Sequence, residues 1–186
     1  REYIHRHLAE ADKLRRRGLP VFPQVSCRPL TTEMRFQAPF SFERLSVFRP
    51  ISKADDAGKM RIYADPEFRR ALKYELDPAG GREREGYRVR FAWEKAVILF
   101  CEQAPELEGR KLFEAAAERG LDPVDLALDL ALESDLMARF SLPVANAEED
   151  QIADLLRDPN TILGLSDAGA HASQLCDACF ATHLLG

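Results

Sequence analysis

One short segment near the end of the sequence carries residue types that can hold a metal or move a proton. It reads Ser166-Asp167-Ala168-Gly169-Ala170-His171 and follows a predicted apolar strand. The small residues between Asp167 and His171 let the backbone turn tightly, so both side chains can reach one cavity. A carboxylate there can bind a metal, or take a proton from metal-bound water and pass it on. Asp167 can also cap a following helix, and the local pattern leaves both interpretations open.

Other groups of residues have the spacing of a reactive site but are better explained by structure. One short turn rarely supplies a nucleophilic triad, and nothing around Ser166 resembles a nucleophile elbow. Cys176 and Cys179 lie within a predicted helix and lack a second pair, so we expect them to pack. His5 and His7 lie two residues apart on a predicted helix and point in divergent directions, so we expect no shared metal.

Composition excludes several classes of partner. The chain of 186 residues is 46% apolar and 31% charged, which is typical of a globular domain. Its net charge of −5 gives no reason to expect a nucleic-acid partner, and Arg15-Arg16-Arg17 close a predicted helix, where cations are favourable. The sequence shows no apolar run near the ~20 residues that span a bilayer. Four irregularly spaced cysteines suit a reducing compartment, so we expect a cytoplasmic protein.

Periodicity and turn residues predict alternating helices and strands around a long central excursion. The predicted helices span 2–17, 109–119, 147–157 from a capping Asn146, and 173–185, with further starts at Asp65 and after Asp122. The predicted strands span 21–27, 95–101 and 161–165. We divide the chain into 1–27, an excursion over 28–146, and a final helix-strand-helix unit over 147–186. Six phenylalanines from Phe22 to Phe68 indicate that the excursion packs, and Trp93 is expected in the core.

This order of elements predicts an α/β fold with parallel strands, either an open sheet or a barrel. In both architectures, ligands bind at the carboxyl ends of the strands. Asp167 lies at such an end, just after the predicted strand 161–165.

Several segments resemble the amidohydrolase superfamily, specifically the branch of N-acyl-D-amino-acid deacylases (D-aminoacylases). The segment from Leu165 to His171 resembles the last-strand motif of that branch. Other matching segments are Gln24-Val25-Ser26-Cys27-Arg28-Pro29-Leu30, Pro105-Glu106-Leu107-Glu108-Gly109-Arg110-Lys111-Leu112, Ala116-Ala117-Glu118-Arg119-Gly120, and Asp158-Pro159-Asn160-Thr161-Ile162-Leu163-Gly164. The resemblance covers most of the chain from Val21 onward.

The resemblance implies a zinc-type hydrolase built on a (β/α)8 barrel, of which this chain supplies about the last two strands. It gives Asp167 the roles of metal ligand and proton shuttle to the leaving nitrogen, and it places His171 against the substrate. Arg28, just past the earlier strand, is expected to pair with a substrate carboxylate, although a structural ion pair would explain it equally well. The implied substrate is an N-acyl amino acid.

The same resemblance implies that most of the metal ligands lie before Arg1. One carboxylate and one histidine fall short of the usual three protein ligands, so we expect the isolated chain to hold no catalytic zinc and to be inactive. A partial barrel exposes a sheet edge, which predicts self-association. Two other functions remain open: a non-catalytic α/β module that binds a ligand or a partner, and a cyclic-amide hydrolase of the same superfamily.

Overall fold

The computed structural model describes residues 2–43, 45–76, 92–164 and 180–185. Within these ranges the helices are α1 (Glu2–Arg16), α2 (Asp56–Ala64), α3 (Pro66–Leu76), α4 (Leu112–Glu118), α5 (Pro123–Glu133), α6 (Glu149–Arg157) and α7 (Phe180–Leu185). The strands are β1 (Gln24–Val25), β2 (Leu30–Met34), β3 (Val97–Phe100), β4 (Arg139–Ala145) and β5 (Ile162–Leu163). Short 3-10 helices lie at Phe40–Phe42, Ser46–Phe48, Ile51–Lys53, Trp93–Lys95 and Pro105–Leu107.

The chain divides into two compact units. Unit 1 comprises Arg1–Leu30 and Ala145–Gly186, and unit 2 comprises Thr31–Val144. Unit 2 therefore covers nearly the same stretch as the predicted excursion over 28–146. That this stretch interrupts a barrel stays a prediction, because the sheets among the described residues have two and three strands.

Unit 1 contains a pair of parallel strands that come from its two separate segments of chain. β1 pairs with β5, with Gln24 opposite Ile162 and Val25 opposite Leu163. The predicted helix 2–17 is confirmed as α1, and Gly18 ends it at a positive φ of 82°. The predicted strand 21–27 is confirmed only over Gln24–Val25. Pro23 has no N–H to give the sheet, although its carbonyl accepts the Ile162 N–H at 3.0 Å.

Unit 2 is built around aromatic rings. Phe36 packs edge-on against Tyr63 and Phe140, with ring centroids 5.3 and 5.9 Å apart. Trp93 packs edge-on against Phe42 at 5.6 Å, which confirms its predicted place in the core. All of these side chains are buried, and such pairs add to the stabilisation from buried area. The predicted packing of the excursion is thus confirmed for its central phenylalanines.

The sheet of unit 2 has the strand order β2-β4-β3, and β3 pairs antiparallel with β4. Parallel strands, expected throughout, are therefore found between β1 and β5 but not here. The outer edge of β3 is covered by the next segment: the Ile98 N–H donates to the Arg110 carbonyl at 2.9 Å, and the Gly109 N–H donates to the Ile98 carbonyl at 2.8 Å. Glu33, near the end of β2, pairs with Arg139 at the start of β4 at 3.6 Å. The chain consequently enters β2 beside the point where it leaves β4.

Two helix starts show which capping predictions were correct. Asp122 caps α5, since its carboxylate accepts the Val124 N–H at 2.8 Å. The predicted cap at Asn146 is wrong. Asn146 has a φ of 53°, and α6 begins at Glu149 after a Glu148 that makes no side-chain capping bond. Asparagine tolerates the left-handed region, so Asn146 turns the chain out of β4 instead.

Candidate functional site at the exit of the parallel pair

The parallel pair brings the exits of β1 and β5 to one edge. The Gly164 N–H donates to the Val25 carbonyl at 3.0 Å, which extends the ladder to the last residue before the segment that leads to Asp167. Arg28 follows the exit of β1, and Asp167 follows Gly164 in the sequence. Parallel strands present their carboxyl ends on the same side. The two predicted site segments therefore begin at neighbouring points.

Arg28 lies in a locally fixed turn at the exit of β1. The Ser26 hydroxyl donates to the Arg28 carbonyl at 3.0 Å, and the Arg28 N–H donates back to Ser26 Oγ at 3.4 Å. Such serine turns hold the backbone without further secondary structure. The Arg28 side chain is half-buried. Its turn is therefore positioned by β1, as a binding residue at a strand end requires.

Asp167 and His171 lie outside the described residues, as do Cys176 and Cys179. Arg28 is thus the predicted site residue whose surroundings the structure describes. The remaining local geometry concerns the groups that hold the two strands in place.

Gly164 permits a close approach between the two strand exits. A Cβ atom placed on Gly164 would lie 2.8 Å from the Gln24 Cβ and 2.9 Å from the Gln24 Cδ, closer than such atoms approach in proteins. The Gln24 side chain therefore occupies the space that any larger residue at position 164 would need. We assigned no chemistry to Gln24 from the sequence; the glycine at a strand end was the available signal for a close contact.

Arg15 holds the opposite end of the same pair. Its Nη1 donates to the Val21 carbonyl at 3.2 Å and to the Asn160 carbonyl at 3.5 Å, and its Nη2 forms an ion pair with Asp12. Val21 precedes β1 and Asn160 precedes β5, so one guanidinium contacts the segments that lead into the two strands. The sequence placed Arg15 correctly at the end of α1, but residue type alone does not reveal that its planar donor group reaches two carbonyls.

The turn that leads into β5 is fixed by its own side chains. The Thr161 hydroxyl donates to the Leu155 carbonyl at 2.7 Å, and the Asp158 carboxylate accepts the Asn160 N–H at 2.9 Å. This segment is part of the resemblance described above. Its polar residues set the direction in which β5 begins.

A metal site is absent from the described part of the chain. No three His, Cys, Asp or Glu side chains are grouped there closely enough to hold an ion. His5 and His7 lie on α1, where His5 is exposed and His7 is largely so. A shallow depression of about 600 Å³ in unit 2 is lined by residues of segment 53–65 and contains none of the predicted site residues. Two of its carboxylates, on Asp55 and Asp65, accept N–H groups at helix starts.

Among the described helices, none combines the length and apolar character needed to cross a bilayer.

The comparisons with known proteins give similarity without an assigned activity. The sequence is 29% identical over 175 residues to an uncharacterized protein of Mycobacterium bovis and to uncharacterized proteins from two strains of Mycobacterium tuberculosis. Each match covers 84% of this chain and 27% of the relative, so the chain spans about a quarter of the length of these curated relatives. No protein-family model matches the sequence, and no solved structure matches it with significance.

Proposed function

We propose that this chain supplies one part of the active site of a metal-dependent hydrolase that cleaves an amide bond, most specifically that of an N-acyl-D-amino acid. The single observation that carries the proposal is the parallel pairing of β1 with β5. These strands carry the two segments that resemble consecutive barrel strands of the amidohydrolases. Their exits lie together although unit 2 separates them in sequence.

The proposed roles follow from position and chemistry. Arg28, in its fixed turn after β1, would bind the substrate carboxylate through two parallel hydrogen bonds. Asp167, in the segment after Gly164, would accept a proton from the attacking water on its carboxylate and deliver it to the leaving nitrogen. His171 would contact the substrate beside it. Placing the carboxylate-binding group after one strand and the proton-transfer group after its neighbour puts the scissile amide between them.

Zinc belongs to this proposal only for the complete protein. A bound zinc ion would supply an activated water at neutral pH. The described residues do not contain a set of ligands for it, and Asp167 with His171 would fall short of the usual three. The other ligands would have to come from outside this chain, so no step above depends on them.

The decisive experiment replaces Asp167 in the full-length gene product. Asp167→Asn removes the basic carboxylate while keeping the size of the side chain, and we expect turnover of N-acyl-D-amino acids to fall by about 10²–10⁴-fold with an unchanged melting temperature. The control is Asp154→Asn, which alters a half-exposed carboxylate on α6 that pairs with Arg157. Asp154→Asn should retain full turnover.

A different result would favour another function. If Asp167 only caps a helix, Asp167→Asn would cost about 1 kcal/mol of stability and leave any activity intact. Assaying N-acyl-D-amino acids, their L-enantiomers and cyclic imides side by side separates the deacylase proposal from a cyclic-amide hydrolase. No hydrolysis of any of these by the metal-loaded full-length protein would overturn the proposal.

A further inference from the structure

One face of the parallel strand pair in unit 1 is apolar and exposed. Side chains alternate between the faces of a strand. Gln24 and Ile162 lie on the exposed side, whereas Val25 and Leu163 are half-buried. Ile162 is 47% exposed, and Phe22, two residues before Gln24 in the same alternation, is 52% exposed. A parallel pair normally has both faces covered.

Unit 1 also lacks a hydrophobic core of its own among its described residues. The buried hydrophobic cluster of the chain lies entirely within unit 2. In the described part of unit 1, the buried apolar side chains are those of Ala11 and Ile152. Two strands of two residues each cannot form a stable sheet unless more strands or helices pack on them.

The outer edges of the pair offer a second reason for an additional partner. In the described chain, β1 and β5 form a sheet with each other and with no third strand. Unpaired strand edges present N–H and C=O groups that recruit another strand. An exposed apolar face beside open edges therefore fits further strands of a sheet better than it fits a helix or a small ligand.

We propose that the Phe22–Ile162 face and the edges of the β1–β5 pair are covered by additional strands of the same polypeptide, from outside these 186 residues. The occupant is chosen from chain length, because this chain spans only 27% of each mycobacterial relative that it matches. The proposal concerns assembly and does not depend on the hydrolase chemistry. It would hold equally if Asp167 proved to be a helix cap.

The test uses the full-length gene product and places a charge on the face. Phe22→Asp and Ile162→Asp should each lower its melting temperature by about 5 °C or more, since an unpaired carboxylate would be buried. The matched control is Tyr74→Asp on α3 of unit 2, where the side chain is 58% exposed, and we expect a shift within about 1 °C. If an aspartate variant does not fold, Phe22→Ala and Ile162→Ala should give smaller shifts in the same direction.

Amide hydrogen exchange provides a second readout without mutation. The amides of segment 19–27 should exchange at least about tenfold more slowly in the full-length protein than in the 186-residue chain. Unchanged melting temperatures in all of the Phe22 and Ile162 variants would overturn the proposal, and so would a gene product no longer than this chain. A dimeric mass with concentration-dependent shifts would also overturn it, by assigning the face to a second copy. Loss of activity in Asp167→Asn alone bears on the hydrolase and not on this face.

Discussion

Tyr63 shows how the aromatic core of unit 2 accommodates a polar atom. The side chain is fully buried, and its hydroxyl donates to the Phe36 carbonyl at 2.8 Å. Burial, followed by the nearby Asp56 carboxylate, raises the pKa of Tyr63 above the ordinary phenol range. The hydroxyl therefore acts as a permanent donor that satisfies a carbonyl inside the core, where an unpaired polar group would be costly.

Replacing Tyr63 with phenylalanine should lower the free energy of unfolding by about 1–2 kcal/mol, because the Phe36 carbonyl loses its donor. The raised pKa also makes stability fall as pH rises above about 10, where the unfolded chain releases a proton that folded Tyr63 retains. Tyr63→Phe should remove that contribution. Urea denaturation at about pH 7 and about pH 10.5 measures both effects, with Tyr74→Phe as the exposed control. Equal stability losses for the two variants at neutral pH would contradict the assigned role of Tyr63.

At the scale of elements, helices with strong local signals were predictable and short strands were not. The stripe of Ile4, Leu8, Ala11 and Leu14 predicts α1, and Asp122 before Pro123 predicts the start of α5; both are confirmed. By contrast, β2 and β4 were not predicted. Pro143 obscures β4, whose Phe140 and Leu142 become core residues only through pairing with distant strands.

The candidate site divides in the same way. The location of Arg28 after a strand could be read from local sequence, and the strand is confirmed as β1. The contacts of Arg15 with the Val21 and Asn160 carbonyls could not, since Asn160 lies far along the chain. Such contacts depend on tertiary structure, which residue patterns within a short window do not encode.

Arg15 should be the residue that stabilises the beginnings of both strands. In Arg15→Met, loss of the charged donors should make the Ile162 and Gly164 amides exchange about 10–100-fold faster, because these amides donate across the pair. Hydrogen exchange followed by NMR measures this at single residues. Arg16→Met, altering an exposed neighbour on α1, should change neither rate. Identical protection in Arg15→Met and the parent chain would show that Arg15 does not hold the pair.

At the scale of the whole molecule, the two units differ in how completely they bury their apolar residues. Unit 2 encloses a continuous cluster and covers the outer edge of β3, whereas unit 1 exposes Phe22 and Ile162. Most of the buried apolar area therefore stabilises the part that carries none of the proposed catalytic groups. Unit 1 would obtain its stability from chain outside these residues.

The isolated 186-residue chain should accordingly associate with itself and lack deacylase activity. We expect its mass, measured by sedimentation equilibrium, to increase with concentration in the micromolar range, because the exposed face and edges have no other partner. Ile162→Asp should reduce this association, and Tyr74→Asp should not. A monomer at every concentration, or stoichiometric zinc with activity in the isolated chain, would contradict this expectation.

The neighbouring ends of β2 and β4 have a consequence for how such a protein can change over time. Since Glu33 and Arg139 join the far ends of these strands, unit 2 behaves like a closed loop whose two connections to the rest of the chain lie side by side. Its interior can gain or lose segments without moving the two attachment points apart. The same geometry makes residues 31–144 a natural module for excision, transplantation or circular permutation, with the strands on either side left free to meet.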